Sequence, residues 1–485
     1  MFDPPHRAVI AVADDRQLGD TFTLHAVLYR LCASHATALD NCLKERTWDD
    51  YAAEVAARTR LLDWRDARRW RRAIRKQLRR LGEAGREQAV VGCGAVLRAL
   101  DDYHKDLRTE LQYQEVPVGE RYGGGVSVLL PPPGNPIARA IEAQESGSRP
   151  LSRRLDHQRH DVQWSLGLYW RVVSLGRHAV RPRFFELEAA AAGRLAARLA
   201  GGELRVGLAS PFADLGYEFD SEPARCHRTK GVPYRFVNMK SGDREAARGT
   251  LDDILADAAE HRVDVLCFPE LTLDNDLLRH FRDRLKSGST DHPPAVTVAG
   301  SFHLSHRTRW VNRCHVLDAR GRIVFVQDKC KEFQLTPELA AASPDLCREM
   351  GIEEERGGYE GIDCAAGLEV ADTPIGRLVT PICLDFCGEE IRELLIDSRV
   401  NLYLVPAMTP RMGDFRRRAR DLGTLCRGSS FVVNSAWLLE RIGRLTEERL
   451  FLGYLPEKRS RDPRTPQRIS KELRLFSIRV QSKND

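Results

Sequence analysis

The stretch 372–385, DTPIGRLVTPICLD, runs from a Thr-Pro turn through an apolar segment to Cys383. The apolar part, near 377–383, has the length of a buried strand rather than a helix. Two earlier stretches repeat the form: VDVLCFPE (263–270) ends on Glu270, and RIVFVQDK (322–329) ends on Lys329. Working outward, strands fit 203–209, 295–304, 311–318, 401–405 and 430–434, and helices fit 243–261, 274–286, 388–398 and 411–427. Short buried strands interleaved with helices predict a layered α/β domain over 201–485. Its two strand–helix–strand–strand halves suggest two sheets face to face, which periodicity alone leaves as one option among several.

The first 200 residues have a different rhythm and read as a mainly helical accessory domain. Helices fit about 20–47, 50–81, 87–110 and 160–178, with an Ala-rich run at 183–200, while LLPPPGNP (129–136) breaks any regular element. Between Arg58 and Arg86 there are twelve Arg or Lys against Asp63, Asp66 and Glu83, a local charge of +9. The whole chain carries +6, so everything else sums to −3. Leu61, Leu62, Trp70, Ile74 and Leu78 recur there at roughly helical spacing, so this is a basic amphipathic helix. It could meet phosphates, dock an acidic protein partner or present a solvated face. The arginines elsewhere (GDFRRRAR, 413–420) make part of that richness a general bias.

Composition narrows the rest. The chain has 485 residues, 42% hydrophobic and 30% charged, as in globular proteins and not disordered or fibrous ones. Twelve cysteines without regular spacing and without a CxxC pair argue against a disulfide scaffold or zinc ribbon. No HExxH or Cys–His pattern occurs, and GGG at 123–125 lacks a following Lys-Ser, so neither a metal nor a cofactor is expected. Without a secretory-type start or a long apolar run, the expected location is cytoplasmic, with no membrane partner.

Glu270, Lys329 and Cys383 all sit at strand tips, where α/β folds gather reactive groups. A thiol can attack a carbonyl or nitrile carbon, a carboxylate can take its proton, and an ammonium can steady the developing charge. Each residue alone has an ordinary reading as buried thiol, turn carboxylate or solvated lysine. A nearby cation would favour the reactive thiolate.

LCFPE (266–270), GRIVFVQDK (321–329) and DTPIGRLVTPICLD, in that order, resemble the nitrilase or carbon–nitrogen hydrolase superfamily over about residues 203–436. The resemblance implies a four-layer αββα sandwich and pairing into a homo-oligomer. It implies Glu270 as general base, Cys383 as nucleophile, Lys329 as stabiliser of the tetrahedral intermediate and the Leu384 amide as part of the oxyanion hole. Lys331 competes with Lys329. For a second glutamate, Glu355 in ERGGYEG is preferred to Glu338, and residues 338–362 look like an insertion near the pocket mouth. Asp385 and Glu390 match the acids after the cysteine, where a structural role is expected, and Asn434 is retained. Cys330 and Cys387 are expected to pack in the core.

The sequence departs from the pattern at Leu384, at Gly388-Glu389-Glu390 and in WLLERIGRLTEERLFLGYLPEK (437–458). The expected activity is amide hydrolysis through a cysteine thioester on a small-molecule amide. The alternatives are a catalytically lapsed scaffold or regulatory protein, and a nucleic-acid binder acting through the basic helix.

Overall fold

The computed structural model describes residues 180–479, apart from 226, 289–290, 307–308 and 457–464, together with shorter segments of the first 178 residues. The chain forms two compact units, one of residues 1–132 and 150–178, the other of 133–149 and 179–485.

In the first unit, helices α1 (Thr21–Ser34) and α2 (Ala67–Glu83) accompany a three-stranded antiparallel sheet. α2 is the basic helix of the sequence reading. Trp70, Ile74, Leu78 and Leu81 are buried along one stripe, and Arg72, Lys76, Arg79 and Arg80 are exposed on the other side. The sheet comprises β1 (Gln114–Pro117), β2 (Val126–Leu130) and β3 (Arg171–Ser174). β3 corrects the helix expected over 160–178. Its β-branched pair Val172 and Val173 lies opposite Leu129 and Val128, a cross-strand arrangement that local periodicity does not report. Most of the helix expected over 50–81 before residue 67 lies outside the described residues.

The second unit starts before residue 201. Arg181–Glu186 is a strand, β4, and not the start of an Ala-rich helix; Pro182 disfavours helix there. β4 pairs in parallel with β14 (Gly367–Thr373), and helix α3 (Ala189–Ala200) contributes Ala191 and Leu195 to the same core. The tertiary partner of β4 is 186 residues away at Leu368↔Pro182, so the segment between 180 and 200 belongs to the α/β unit.

Two sheets make up that unit. The first has the order β11-β10-β9-β8-β5-β20-β19, in which β5 is Glu203–Ala209, β19 is Gln467–Arg468 and β20 is Leu473–Arg479; the second has the order β18-β17-β16-β15-β14-β4, in which β18 is Phe451–Tyr454. The strands that matter for the site are β8 (Val265–Cys267), β9 (Val296–His306), β10 (Arg309–Asp318) and β11 (Ile323–Asp328) in the first sheet. In the second they are β15 (Gly376–Val379), β16 (Leu402–Ala407) and β17 (Ser429–Asn434). Alternation sorts their side chains. Val265 and Cys267 join the core between the sheets, whereas Leu266 joins the core beneath helices α4 (Arg244–Glu260) and α5 (Asn275–Lys286). Helices α9 (Glu389–Asp397) and α10 (Met412–Cys426) bury Leu394, Leu395, Phe415 and Ala419 against the second sheet. The result is helix, sheet, sheet, helix: the expected four-layer α/β sandwich.

Gln327 shows how the sheets are fastened. Its side-chain amide on β11, an edge strand of the first sheet, donates to the Gly367 carbonyl at 3.2 Å and its oxygen accepts the Glu369 N–H at 2.8 Å, so one buried side chain joins β11 to β14 of the second sheet. A third, smaller sheet contains β7 (Val232–Met239) and β13 (Gly358–Glu360) paired in parallel. Sequence reading found neither strand. Among the described residues no helix is long and apolar enough to cross a membrane.

Candidate active site

Three neighbouring strands of the first sheet build the floor of the site by register. His303 on β9 lies opposite Asn312 on β10, and the Lys329 N–H donates to the Asn312 carbonyl at 2.8 Å. These residues therefore form one cross-strand row. Glu270 arrives from the turn after β8. Leu271 beside it has φ +53°, and Gly300 on β9 has φ +66°. A Cβ on Gly300 would lie 2.2 Å from the Pro269 carbonyl oxygen, so only glycine lets β9 pass the Phe-Pro-Glu turn.

The side chains of Glu270, His303, Asn312, Lys329 and Glu360, five in all, form a compact hydrogen-bonded cluster. Lys329 Nζ donates to Glu270 Oε1 at 2.7 Å and to Glu360 Oε2 at 2.6 Å. Asn312 Nδ2 donates to Glu270 at 3.0 Å and to Glu360 Oε1 at 2.7 Å. The Phe333 N–H adds a bond to Glu360 Oε2 at 3.0 Å. His303 Nδ1 accepts the Phe236 N–H at 2.8 Å, which leaves the proton on Nε2, 2.8 Å from Glu360 Oε1. Glu270, Lys329 and Glu360 are all almost wholly buried, and each has its partners supplied.

Sequence reasoning preferred Glu355 as the second glutamate, with Glu338 as the alternative. Both are exposed, and the carboxylate on the lysine is Glu360. The correction has a simple cause. β13 carries residue 360 into the interior beside β7, whereas residues 353–356 turn outside it. The motif ERGGYEG holds both glutamates, so the signal was present on the far side of its aromatic residue. His303 and Asn312 were missed because only strand register brings them here. Lys329 joins the cluster and Lys331 is exposed.

Cys383 sits on the opposite wall, after β15 and at the N-terminus of a short helix, α8 (Leu384–Cys387). Its backbone has φ +49° and ψ −107°, a sparsely populated conformation costing about 1–3 kcal/mol. The Cys383 N–H is tied to the Pro406 carbonyl at 2.8 Å, and its Sγ lies 3.7 Å from the Met408 carbonyl oxygen. Asn434 holds that loop: its side chain donates to Thr409 and Arg449 carbonyls and accepts the Thr409 N–H at 2.8 Å. Glu270 and Cys383 line the same cavity, and the Glu270 charge acts on the thiol. Leu384 is the first residue of α8, and an N–H in that position has no acceptor within its own helix.

Lys329 favours the thiolate, as expected of a nearby cation, but it is outweighed. Burial pushes the Cys383 thiol well up, the Glu270 charge pushes it further, and Lys329 offsets only part of this. Burial also raises Glu270, with Lys329 opposing and Glu360 adding to the rise. Burial works against the Lys329 ammonium, but the two carboxylates outweigh it and the pKa is raised well above the ordinary lysine value. Glu360 is pulled down despite burial, by Lys329 and His303. These directions favour a neutral thiol and a firmly charged lysine at rest.

Asp385 is fully buried, two residues after Cys383. It accepts the Cys330 N–H at 2.9 Å, joining the segment after Lys329 to the helix after Cys383, and burial pushes its carboxyl up to about 7. Glu390 is exposed. Cys330 and Cys387 pack against the core between the sheets. Among the described residues no group of three or more His, Cys, Asp or Glu could hold a metal ion.

Glu270, Lys329, Glu360 and Cys383 line a cavity of about 210 Å³. Helices α6 (Pro337–Ala341) and α7 (Pro344–Glu349), from the segment read as an insertion, supply part of its wall.

No protein-family model matches the chain, and no curated protein matches it. Solved structures do. The chain is similar to nitrilase-superfamily amidases. An amidase from Nesterenkonia sp. is 14% identical, with 57% of this chain and 91% of that one covered at a TM-score of 0.35. A cysteine-to-alanine mutant of the Nesterenkonia sp. AN1 amidase in complex with butyramide is 13% identical, covering 58% and 94%, also at 0.35. Another mutant of the AN1 amidase, described as from the nitrilase superfamily, is 13% identical, covering 57% and 92% at 0.34. At such scores the likeness decides nothing about chemistry, which has to come from the residues themselves.

Proposed function

We propose that this protein hydrolyses the carbon–nitrogen bond of a non-peptide amide through a thioester on Cys383. One observation carries the reading: a thiol on a strained turn faces a buried carboxylate that is itself bonded to a buried lysine. Glu270 takes the thiol proton as sulfur bonds the amide carbon, and the carbonyl oxygen becomes an oxyanion. Two of the three Lys329 donors are spent on Glu270 and Glu360, so the third is left for that oxyanion, with the Leu384 N–H as a second donor. Collapse breaks the carbon–nitrogen bond, and Glu270 returns the proton to the departing amine. Water then attacks the thioester, Glu270 takes its proton, the carbon–sulfur bond breaks and the thiol is restored with that proton. Because the resting thiol is neutral, the base acts during attack and not before it.

The resemblance in LCFPE, GRIVFVQDK and DTPIGRLVTPICLD supports the same roles. Ten described cysteines are free thiols, in keeping with a reducing, cytoplasmic setting. The test is release of ammonia or amine from a panel of small amides, with the Cys383→Ala protein beside it. Cysteine-dependent release supports the reading. Release that survives the substitution, or a Cys383 that forms no acyl adduct detectable by mass spectrometry with any cleaved amide, removes it.

A further inference from the structure

The cavity beyond the cluster has a one-sided chemistry. Its walls are apolar, with Leu335, Leu339, Leu346, Met350, Leu438 and Ile442 among them. Apart from Glu270, Lys329 and Glu360, the charged residues lining it are Arg411 and Arg444, both of them exposed. Neither arginine side chain makes an ion pair or hydrogen bond with another described residue. Most other arginines of this unit that face neighbours do, such as Arg418 with Glu389 at 2.6 Å and Arg441 with Glu349 at 3.0 Å.

Both arginines are mounted on fixed backbone. Arg411 follows the loop that Asn434 holds against the nucleophile, and its N–H donates to Thr409 Oγ1 at 3.1 Å. Arg444 follows helix α11 (Ala436–Arg441). There the Arg444 N–H reaches back to the Leu439 carbonyl at 2.8 Å across Gly443, whose φ is +62°. This is the capping turn that commonly closes a helix, and it places the arginine at the cavity by backbone geometry.

The charges on the lining fall into two groups. Glu270, Glu360 and Lys329 supply two carboxylates and one ammonium, a net −1, and the other charged lining residues are the two arginines. Most of the remaining wall is apolar. Resting on the hydrolase reading, we infer that the substrate is the amide of an acid whose apolar chain ends in a carboxylate, held at that end by Arg411 and Arg444. The net negative cluster rejects the carboxylate and the arginines accept it, so the amide is delivered to Cys383 in one orientation. An arginine binds a carboxylate through two parallel N–H donors, a match that a neutral chain end cannot use. A cationic tail would meet both arginines with the wrong sign.

Three amides of equal chain length test this: the monoamide of adipic acid, hexanamide and 6-aminohexanamide. The wild-type protein is expected to show kcat/KM at least about tenfold higher for the adipic monoamide than for hexanamide, and lowest for the amino amide. The Arg411→Gln/Arg444→Gln protein should bring the first ratio to near one, and Arg444→Glu should move the preference towards the amino amide. Calorimetric binding to the Cys383→Ala protein reads the same preference without turnover. Equal binding of the adipic monoamide and hexanamide overturns the inference, whatever is cleaved. Selective binding of the adipic monoamide that is lost in the Cys383→Ala/Arg411→Gln/Arg444→Gln protein supports it. If that selectivity is present while wild-type protein cleaves none of the three, the hydrolase reading fails and the anion site stands.

Discussion

Cys383 combines strain, burial and a raised pKa, so in the proposed mechanism it depends on Glu270 for each proton transfer. Cys383→Ala should abolish turnover and leave the melting temperature unchanged or slightly higher, because alanine removes a reactive group from a strained turn without opening a large cavity. Glu270→Gln and Lys329→Ala should each lower kcat by roughly 10²–10⁴-fold. Lys329→Ala should also destabilise, by about 3–5 kcal/mol, since it strands two buried carboxylates. The pH profile carries a second test. Glu270 is raised partly by the Glu360 charge, so the acid limb of kcat/KM should lie above the ordinary glutamate range. Removing a like charge favours ionisation of the remaining one, so Glu360→Gln should move that limb to lower pH while reducing the rate.

Asp385 gives a stability prediction of definite sign. Its folded pKa, about 7, is above the model-peptide value, so the folded state holds the proton more tightly than the unfolded chain. Its contribution is fully present below about pH 4 and is lost as pH rises towards 7. Relative to Asp385→Asn, which keeps an acceptor for the Cys330 N–H, the wild-type protein should lose as much as about 4 kcal/mol across that window and run parallel above it. Melting curves of the two proteins from pH 4 to 8 would check this; a constant difference would show that Asp385 does not titrate there.

At the scale of elements, two contacts decide where the residues stand. Gly300 lets β9 cross the turn that carries Glu270. Gly300→Ala would place a methyl on the Pro269 carbonyl and force an unfavourable φ, so it should cost about 2–4 kcal/mol and reduce activity with it. Gln327 joins the two sheets two residues before Lys329. Gln327→Ala leaves the Glu369 N–H and the Gly367 carbonyl without that partner, and a loss of about 1–3 kcal/mol is expected in denaturant unfolding. Most strands around these contacts were legible from sequence, because continuous apolar runs such as VLCFP and IVFV are long enough to declare a buried strand. β7 and β13 were not legible. VPYRFVNM and GYE carry mixed polarity, and their pairing spans well over a hundred residues, a contact that no local window contains.

Across the whole molecule, the boundary of the α/β unit sets what a working fragment must include. Val180, Leu187, Ala191 and Leu195 are buried in the core between the sheets. At roughly 1.5–3 kcal/mol for each large apolar side chain, losing them would remove about 5–8 kcal/mol, comparable with the total stability of a domain. A fragment of 179–485 should therefore fold cooperatively, whereas 201–485 should be insoluble or melt far lower. Expression and calorimetry of the two would decide the matter, and equal stability would place the boundary at 201 after all.

The amino-acid sequence alone determined that Glu270, Lys329 and Cys383 stand at or just beyond the ends of three strands, because each ends an apolar run that must be buried. It also determined the basic stripe of α2, since helical spacing separates Trp70, Ile74 and Leu78 from the arginines between them. Only the tertiary structure decided that Glu360 and not Glu355 meets the lysine, that His303 and Asn312 complete the cluster, and that Arg411 and Arg444 share a cavity with the thiol. The reason is physical. A period of 2.0 or 3.6 residues reports which face of an element is buried, whereas register between strands and the path of a loop are set by packing between segments far apart in the chain.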